Sequence, residues 1–144
     1  LVGGGVFEEL EELQDYADAR GVRFWIAPRL SNLQLTGMMR RSVAVVSMAH
    51  GEPFGLTPIE AFAVGTPALF VDEGGFRDSI EDGVNGRLLP RDNPAAWQEA
   101  LKEAMQDKTR KKWTKAGREK IASLDLSPER HAKRVSRIIE ELLS

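Results

Sequence analysis

Two carboxylates and a glycine form the most chemically suggestive stretch of the chain, His50-Gly51-Glu52-Pro53-Phe54-Gly55-Leu56-Thr57-Pro58-Ile59-Glu60-Ala61. Glu52 falls on a loop just after an apolar run ending near Met48, and Glu60 falls in the first turn of the next helix. In an open α/β sheet, ligands bind beyond the carboxyl ends of the strands, which is where Glu52 must lie. The backbone N–H groups of Gly55, Leu56 and Thr57 are expected to point into the same crevice, where a helix N-terminus favours a phosphate. Gly55 has no Cβ, so a ligand can approach its backbone closely. Carboxylates accept hydrogen bonds from hydroxyls, and a ribose diol offers two neighbouring ones. A helix end for phosphate and acids for hydroxyls together describe a nucleotide-sugar site.

Each residue also has a plainer reading. Thr57 as N-cap, Pro58 in the first turn and Glu60 behind them make a capping box, which would give Glu60 a structural role instead of, or beside, a ribose contact. Glu52 could be a surface loop acid, and Gly55, Gly74 and Gly75 could be turn residues. His50 adjoins the loop without a carboxylate nearby in sequence to orient it. Gly3-Gly4-Gly5 lacks the third glycine of a dinucleotide fingerprint and reads as a turn.

The elements that must position these residues follow from periodicity. Phe7, Leu10, Leu13 or Gln14, and Ala17 fall at helical spacing, and Gly21 ends that helix. Val22 to Ala27 reads as a short strand closed by Pro28, and Leu33 to Arg41 as a short helix. Val43 to Met48 and Ala68 to Val71 are apolar runs expected as buried strands. Between them lies the helix that Gly65-Thr66-Pro67 stops. A short helical turn at Arg77 to Glu81 and a last strand at Gly86 to Leu89 follow. Asn93-Pro94 opens an amphipathic helix with Trp97, Ala100, Leu101, Ala104 and Met105 on one face, and Trp97 and Met105 are read as core. Helices at about 110–124 and 128–143 close the chain, the second started by Ser127-Pro128. Strand–helix alternation of this kind predicts a Rossmann-like α/β domain over residues 1–144: a mainly parallel sheet with helices on both faces, and a helical tail over 110–144.

Composition narrows the classes. The 144 residues carry 20 Lys+Arg against 22 Asp+Glu, a net charge of −2, which argues against a dedicated nucleic-acid or anionic-membrane binder. With no cysteine, disulfide scaffolds, thiolate zinc sites and cysteine nucleophiles are excluded. Only two histidines are present, His50 and the surface candidate His131, which leaves little for a histidine-rich metal centre. No apolar run approaches the ~20 residues of a membrane span. A cytoplasmic setting is expected. The basic stretch around Trp113 (Lys108, Arg110, Lys111, Lys112, Lys115, Arg118 and Lys120) reads as a solvated helix face, while contact with a membrane or polyanion stays open. The abrupt opening Leu1-Val2 before the glycines reads as the end of a strand whose start lies upstream.

Glu52 and Glu60 are separated by seven residues, and Glu-Pro-Phe-Gly-Leu-x-x-x-Glu-Ala resembles the retaining glycosyltransferases of the GT-B fold, the group 1 type. Gly65-Thr66-Pro67, Gly74-Gly75-Phe76-Arg77-Asp78 and Asp82-Gly83-Val84-Asn85-Gly86 continue that pattern in register. The resemblance implies a donor-binding C-terminal domain. In it Glu60 holds the ribose hydroxyls and Glu52 is the catalytic-site acid beside the donor sugar and its phosphates. Backbone N–H groups of Phe54, Gly55, Leu56 and Thr57 contact sugar and diphosphate, Gly74 and Gly75 form a neighbouring loop, and Arg29 and Leu30 lie near the base. It further implies a sugar transfer with retained configuration from a nucleoside diphosphate sugar, with no metal. An upstream Arg/Lys pair and an N-terminal acceptor-binding domain are both missing here, so the fragment is expected to be inactive. Met48-Ala49 stands where the family usually has Pro-Ser, Asp78 where it has Glu, and Pro28 where it has Gly. A related epimerase or phosphorylase, or a non-catalytic nucleotide-sugar-binding module, are the alternatives.

Overall fold

A computed structural model describes residues 2, 7–27, 29–124 and 126–143, with Phe7 and Glu8 described by their backbone alone. Gly3-Gly4-Gly5 and Pro28 therefore lie outside the described residues. The chain divides into two compact units, residues 1–38 and 39–144.

In the first unit, helix α1 (Phe7–Asp18) is followed by an irregular segment, and α2 (Asn32–Arg41) begins there. The start of α2 is a reciprocal cap. Ser31 Oγ accepts from the Gln34 N–H at 3.3 Å, and Gln34 Oε1 accepts from the Ser31 N–H at 2.9 Å. The strand expected over 22–27 is not formed: one parallel bridge joins Val2 to Ala27. A strand needs a continuous ladder for its N–H and C=O groups. Ala27 is buried, but Trp25 is 62% exposed, so this run is not sandwiched between two layers.

The second unit holds a parallel sheet of three strands, in order β1 (Val45–Ser47), β2 (Ala68–Val71) and β3 (Gly86–Leu89). Val45 pairs with Ala68, and Ala68 with Gly86. β1 is shorter than the apolar run predicted. Helix α3 (Leu56–Val64) connects β1 to β2, and the short α4 (Phe76–Ser79) connects β2 to β3. Every residue of β2 is buried, as its unbroken apolar run predicts for the middle of a parallel sheet. Around it pack Phe62, Phe76, Ile80, Leu89, Trp97, Ala100, Ala104 and Trp113. Phe70 and Phe76 meet edge to face at 4.8 Å.

Helix α5 (Pro94–Met105) starts as predicted: Asn93 Oδ1 accepts from the Ala96 N–H, and Pro94 occupies the first turn. Trp97 is core and donates its indole N–H to Pro90 O at 2.8 Å. Met105 is not core. It is 69% exposed, because the chain breaks at Gln106 and α6 (Asp107–Leu124) departs at once. Trp113 buries against the core and donates to Gly83 O, and Phe62 packs over Gly117 where a Cβ would come within 2.7 Å of its ring. Helix α7 (Pro128–Leu143) has no buried residue, His131 included. Among the described residues no helix is long and apolar enough to cross a membrane.

The entry to α3 differs from the capping box expected. The helix begins at Leu56, and its N-cap is Gly55 in the left-handed region at φ 63°. Thr57 is already the second helical residue and makes no side-chain cap. Pro58 occupies the third position, where a capping box would need Glu or Gln. Glu60 lies beyond reach of that role. It is exposed and has no polar partner among the described residues.

Candidate functional site

Loops leaving the carboxyl ends of all three strands are tied together by one side chain, Arg91, which follows β3. Its guanidinium donates to Met48 O at 2.7 Å and Ala49 O at 3.4 Å, both just after β1. It also grips Glu73, just after β2, with two bonds at 2.9 and 2.8 Å. The planar fork of arginine suits such bidentate pairing. His50 Nδ1 lies 3.6 Å from the same carboxylate. The bonds from Arg91 hold Glu73 below the usual carboxylate range. Desolvation opposes them, and the charges of Arg91, His50 and Arg77 add to the lowering. The Arg91 guanidinium is correspondingly pushed up.

A carboxylate held low contributes stability above its unfolded pKa and loses it as the pH falls through the lower, folded pKa. Arg91→Met is therefore expected to remove one acid-side step from the pH dependence of unfolding. It should also speed amide exchange at Gly55 and Gly75 several-fold, measured by hydrogen exchange at neutral pH. Unchanged exchange would show that the strap does not hold these loops.

Beyond this strap, two glycine loops interlock backbone against backbone. The Gly75 N–H donates to Glu52 O at 2.8 Å. A Cβ on Gly55 would come within 2.5 Å of Gly75 O, one on Gly74 within 2.5 Å of Glu52 O, and one on Gly75 within 2.5 Å of Pro53 O. Ser79 Oγ donates to Gly55 O at 3.1 Å from beneath. These glycines are thus present for close approach of two main chains, which a turn reading alone does not require.

The predicted residues fall into place unevenly. Glu52, Phe54, Gly55, Leu56, Thr57, Gly74 and Gly75 are brought together at this junction. The Gly55 N–H, expected to be free for a ligand, donates instead to Glu52 Oε1 at 3.1 Å. Glu52 is thus half-buried and bonded to the loop it belongs to. Leu56 and Thr57 remain with first-turn N–H groups that have no intrahelical acceptor and no side-chain cap. Phe54 is 72% exposed, and Leu56 is exposed beside it. Arg29 is exposed and Leu30 half-buried; both belong to the first unit. The sequence pattern does not mark Arg91, Glu73 or Ser79. No motif spacing marks Arg91, which lies 42 residues beyond Ala49. Among the described residues, no group of three His, Asp or Glu side chains could hold a metal ion.

The family described as Glycosyl transferases group 1 matches residues 1–120. The chain belongs to the group 1 glycosyltransferases. Its fold is that of their C-terminal domain. Among the relatives of this group 1 chain is the D-inositol 3-phosphate glycosyltransferase of Xylanimonas cellulosilytica. The two are 34% identical over 110 residues, 75% of this chain and 26% of that protein. The enzyme of that name from Salinispora tropica is 31% identical over 144 residues, 97% of this chain and 28% of that one. The group 1 chain thus spans about a quarter of the length of the curated relatives it matches. Sucrose-phosphate synthase from Thermosynechococcus elongatus shares the fold with a TM-score of 0.82 at 24% identity, over 99% of this chain and 38% of that one. Anabaena HepE, solved in complex with UDP-glucose, superposes at 0.79 with 20% identity, over 98% of this chain and 40% of its own.

Proposed function

We propose that this chain is the donor-binding domain of a retaining glycosyltransferase, which moves a sugar from a nucleoside diphosphate to an acceptor hydroxyl. The observation that carries the reading is Glu60. It is an exposed carboxylate with no polar partner among the described residues, one turn into a helix whose first N–H groups have no intrahelical acceptor and whose entry is built from interlocked glycines. Membership of the group 1 family over residues 1–120 supports the same role.

In this reading Glu60 accepts from both ribose hydroxyls. The N–H groups of Leu56 and Thr57 meet the diphosphate, whose negative charge grows as the glycosidic bond breaks. Glu52, fixed by the Gly55 N–H, stands beside the donor sugar. Phe54 and the Gly74-Gly75 loop flank it. No metal takes part. Basic groups and the acceptor site come from the remainder of the longer protein, so this chain alone is expected to bind donor poorly and not to turn it over.

The test is a titration of the full-length protein with UDP-, GDP- and ADP-glucose, followed by turnover with D-inositol 3-phosphate, the acceptor named in its relatives, and with other polyols. Binding and turnover that persist in excess EDTA, with the anomeric configuration retained by NMR, are expected. Binding without turnover on any acceptor would favour a silent nucleotide-sugar module. Failure of all three donors to bind would overturn the reading.

A further inference from the structure

At the far end of α3 from the glycine junction lies a cleft of about 450 Å³ whose lining is strongly basic. Nine helical residues separate the two ends, roughly 14 Å at the rise of an α-helix. The volume is within the range of small-ligand sites. Arg40 comes from the end of α2, and Arg110, Lys111, Lys115 and Arg118 come from α6; Glu119 is the one acid in the lining. The lining thus carries a net charge of +4, five cations less one carboxylate, in a chain whose total is −2.

This concentration exceeds what the fold requires. The C-terminal ends of α2 and α3 meet here, and each helix end amounts to about half a negative charge. One cation would answer both, and five are present. Neighbouring acids pair with only two of the five. Glu119 pairs with Lys115 at 3.8 Å, both largely exposed, and Arg110 pairs with Asp107. Arg40, Lys111 and Arg118 have no ion pair among the described residues. Lys111 and Lys115 stand four residues apart on one helix, where like charges repel.

The walls are held in place. Thr114 Oγ1 donates to Gly65 O at 3.0 Å, which fastens α6 to the end of α3. Gly65 leaves room for the Arg118 guanidinium, whose Nη2 would lie 2.7 Å from a Cβ there. The guanidinium fork and the two lysines match the tetrahedral, multiply charged oxygens of phosphoryl groups.

We infer that this cleft is a second binding site, for an anion carrying two or more phosphoryl groups. The ligand is either a soluble oligophosphate-like metabolite or the headgroup phosphates of an acidic lipid. The inference does not depend on the donor reading, because it uses none of the residues of the glycine junction.

The test uses the full-length protein and two probes at low salt: tripolyphosphate by calorimetry, and phosphatidylcholine vesicles with and without phosphatidylglycerol by sedimentation. Tripolyphosphate is expected to bind, and Lys111→Gln/Arg118→Gln to weaken it about tenfold or more. Arg40→Gln should act in the same direction. All three substituted cations are exposed, so circular dichroism and melting temperature should stay unchanged. Sedimentation with acidic vesicles that is lost in the double variant assigns the site to lipid headgroups. Tripolyphosphate binding without it assigns the site to a soluble ligand. Equal tripolyphosphate affinity in the unaltered and double-variant proteins, or no binding to either probe, overturns the inference.

Discussion

Gly55→Ala is expected to lower the melting temperature by on the order of 10 °C and to abolish donor binding. Two independent costs add at this position. The residue sits at φ +63°, where a Cβ costs roughly 1–2 kcal/mol. The same Cβ would lie 2.5 Å from Gly75 O and 2.9 Å from Gly75 C, which are main-chain atoms that cannot rotate away. Forcing the loops apart adds about 1–3 kcal/mol, as overpacking usually does. For a unit of this size each kcal/mol moves the midpoint by about 4–8 °C.

Two comparison variants separate the costs. Gly83→Ala faces the left-handed strain alone, since nothing lies within 4 Å of its Cβ position. Gly75→Ala, at φ −67°, faces the contact alone, 2.5 Å from Pro53 O. Thermal melts should rank Gly55→Ala as the most damaging of the three. Donor affinity should fall for Gly55→Ala and Gly75→Ala but hold for Gly83→Ala. A Gly55→Ala protein that melts like the unaltered one would mean the two loops are not in van der Waals contact.

What the sequence discloses here depends on whether the deciding interaction is local. The start of α5 is decided by Asn93 and Pro94 within four residues, and it forms as predicted. β2 announces itself as an unbroken apolar run because both its faces are covered. The start of α3 is different. Thr57-Pro58-Ile59-Glu60 is a good local cap signature. The helix nevertheless begins at Leu56, because Gly55 is held in its left-handed turn by the Glu52 carboxylate and by Gly75 and Ser79 across the junction. A long-range contact outweighs a local preference worth about 1 kcal/mol.

The same distinction explains the site. The Glu52-to-Glu60 stretch is legible because its chemistry is contiguous. Arg91 is not, because a surface-type residue after a strand acquires its role only when three loops meet. Met105 fits the apolar face of α5 by period, yet the face ends where the chain turns into α6. The basic stretch of α6 reads as a solvated face until Arg40 and Gly65 close a cleft around it.

Glu60→Ala is the sharper test of function, because structure and activity are expected to part. The side chain is exposed, bonds to nothing among the described residues, and stands outside any capping position. Alanine is the better helix former by a few tenths of a kcal/mol. The melting temperature should therefore stay level or rise slightly. Donor affinity should behave otherwise. A carboxylate that accepts from two ribose hydroxyls contributes about 2–3 kcal/mol through charge-assisted bonds, so its loss should raise the donor Kd roughly 30- to 100-fold. Glu60→Gln keeps an acceptor oxygen without the charge and should fall between the two. A 2′-deoxyribose donor should bind the unaltered protein more weakly but should discriminate little in Glu60→Ala, since the bond it lacks is already gone. If the variant instead melts several degrees lower while its Kd for the donor is unmoved, Glu60 serves the helix and the ribose contact must be sought elsewhere.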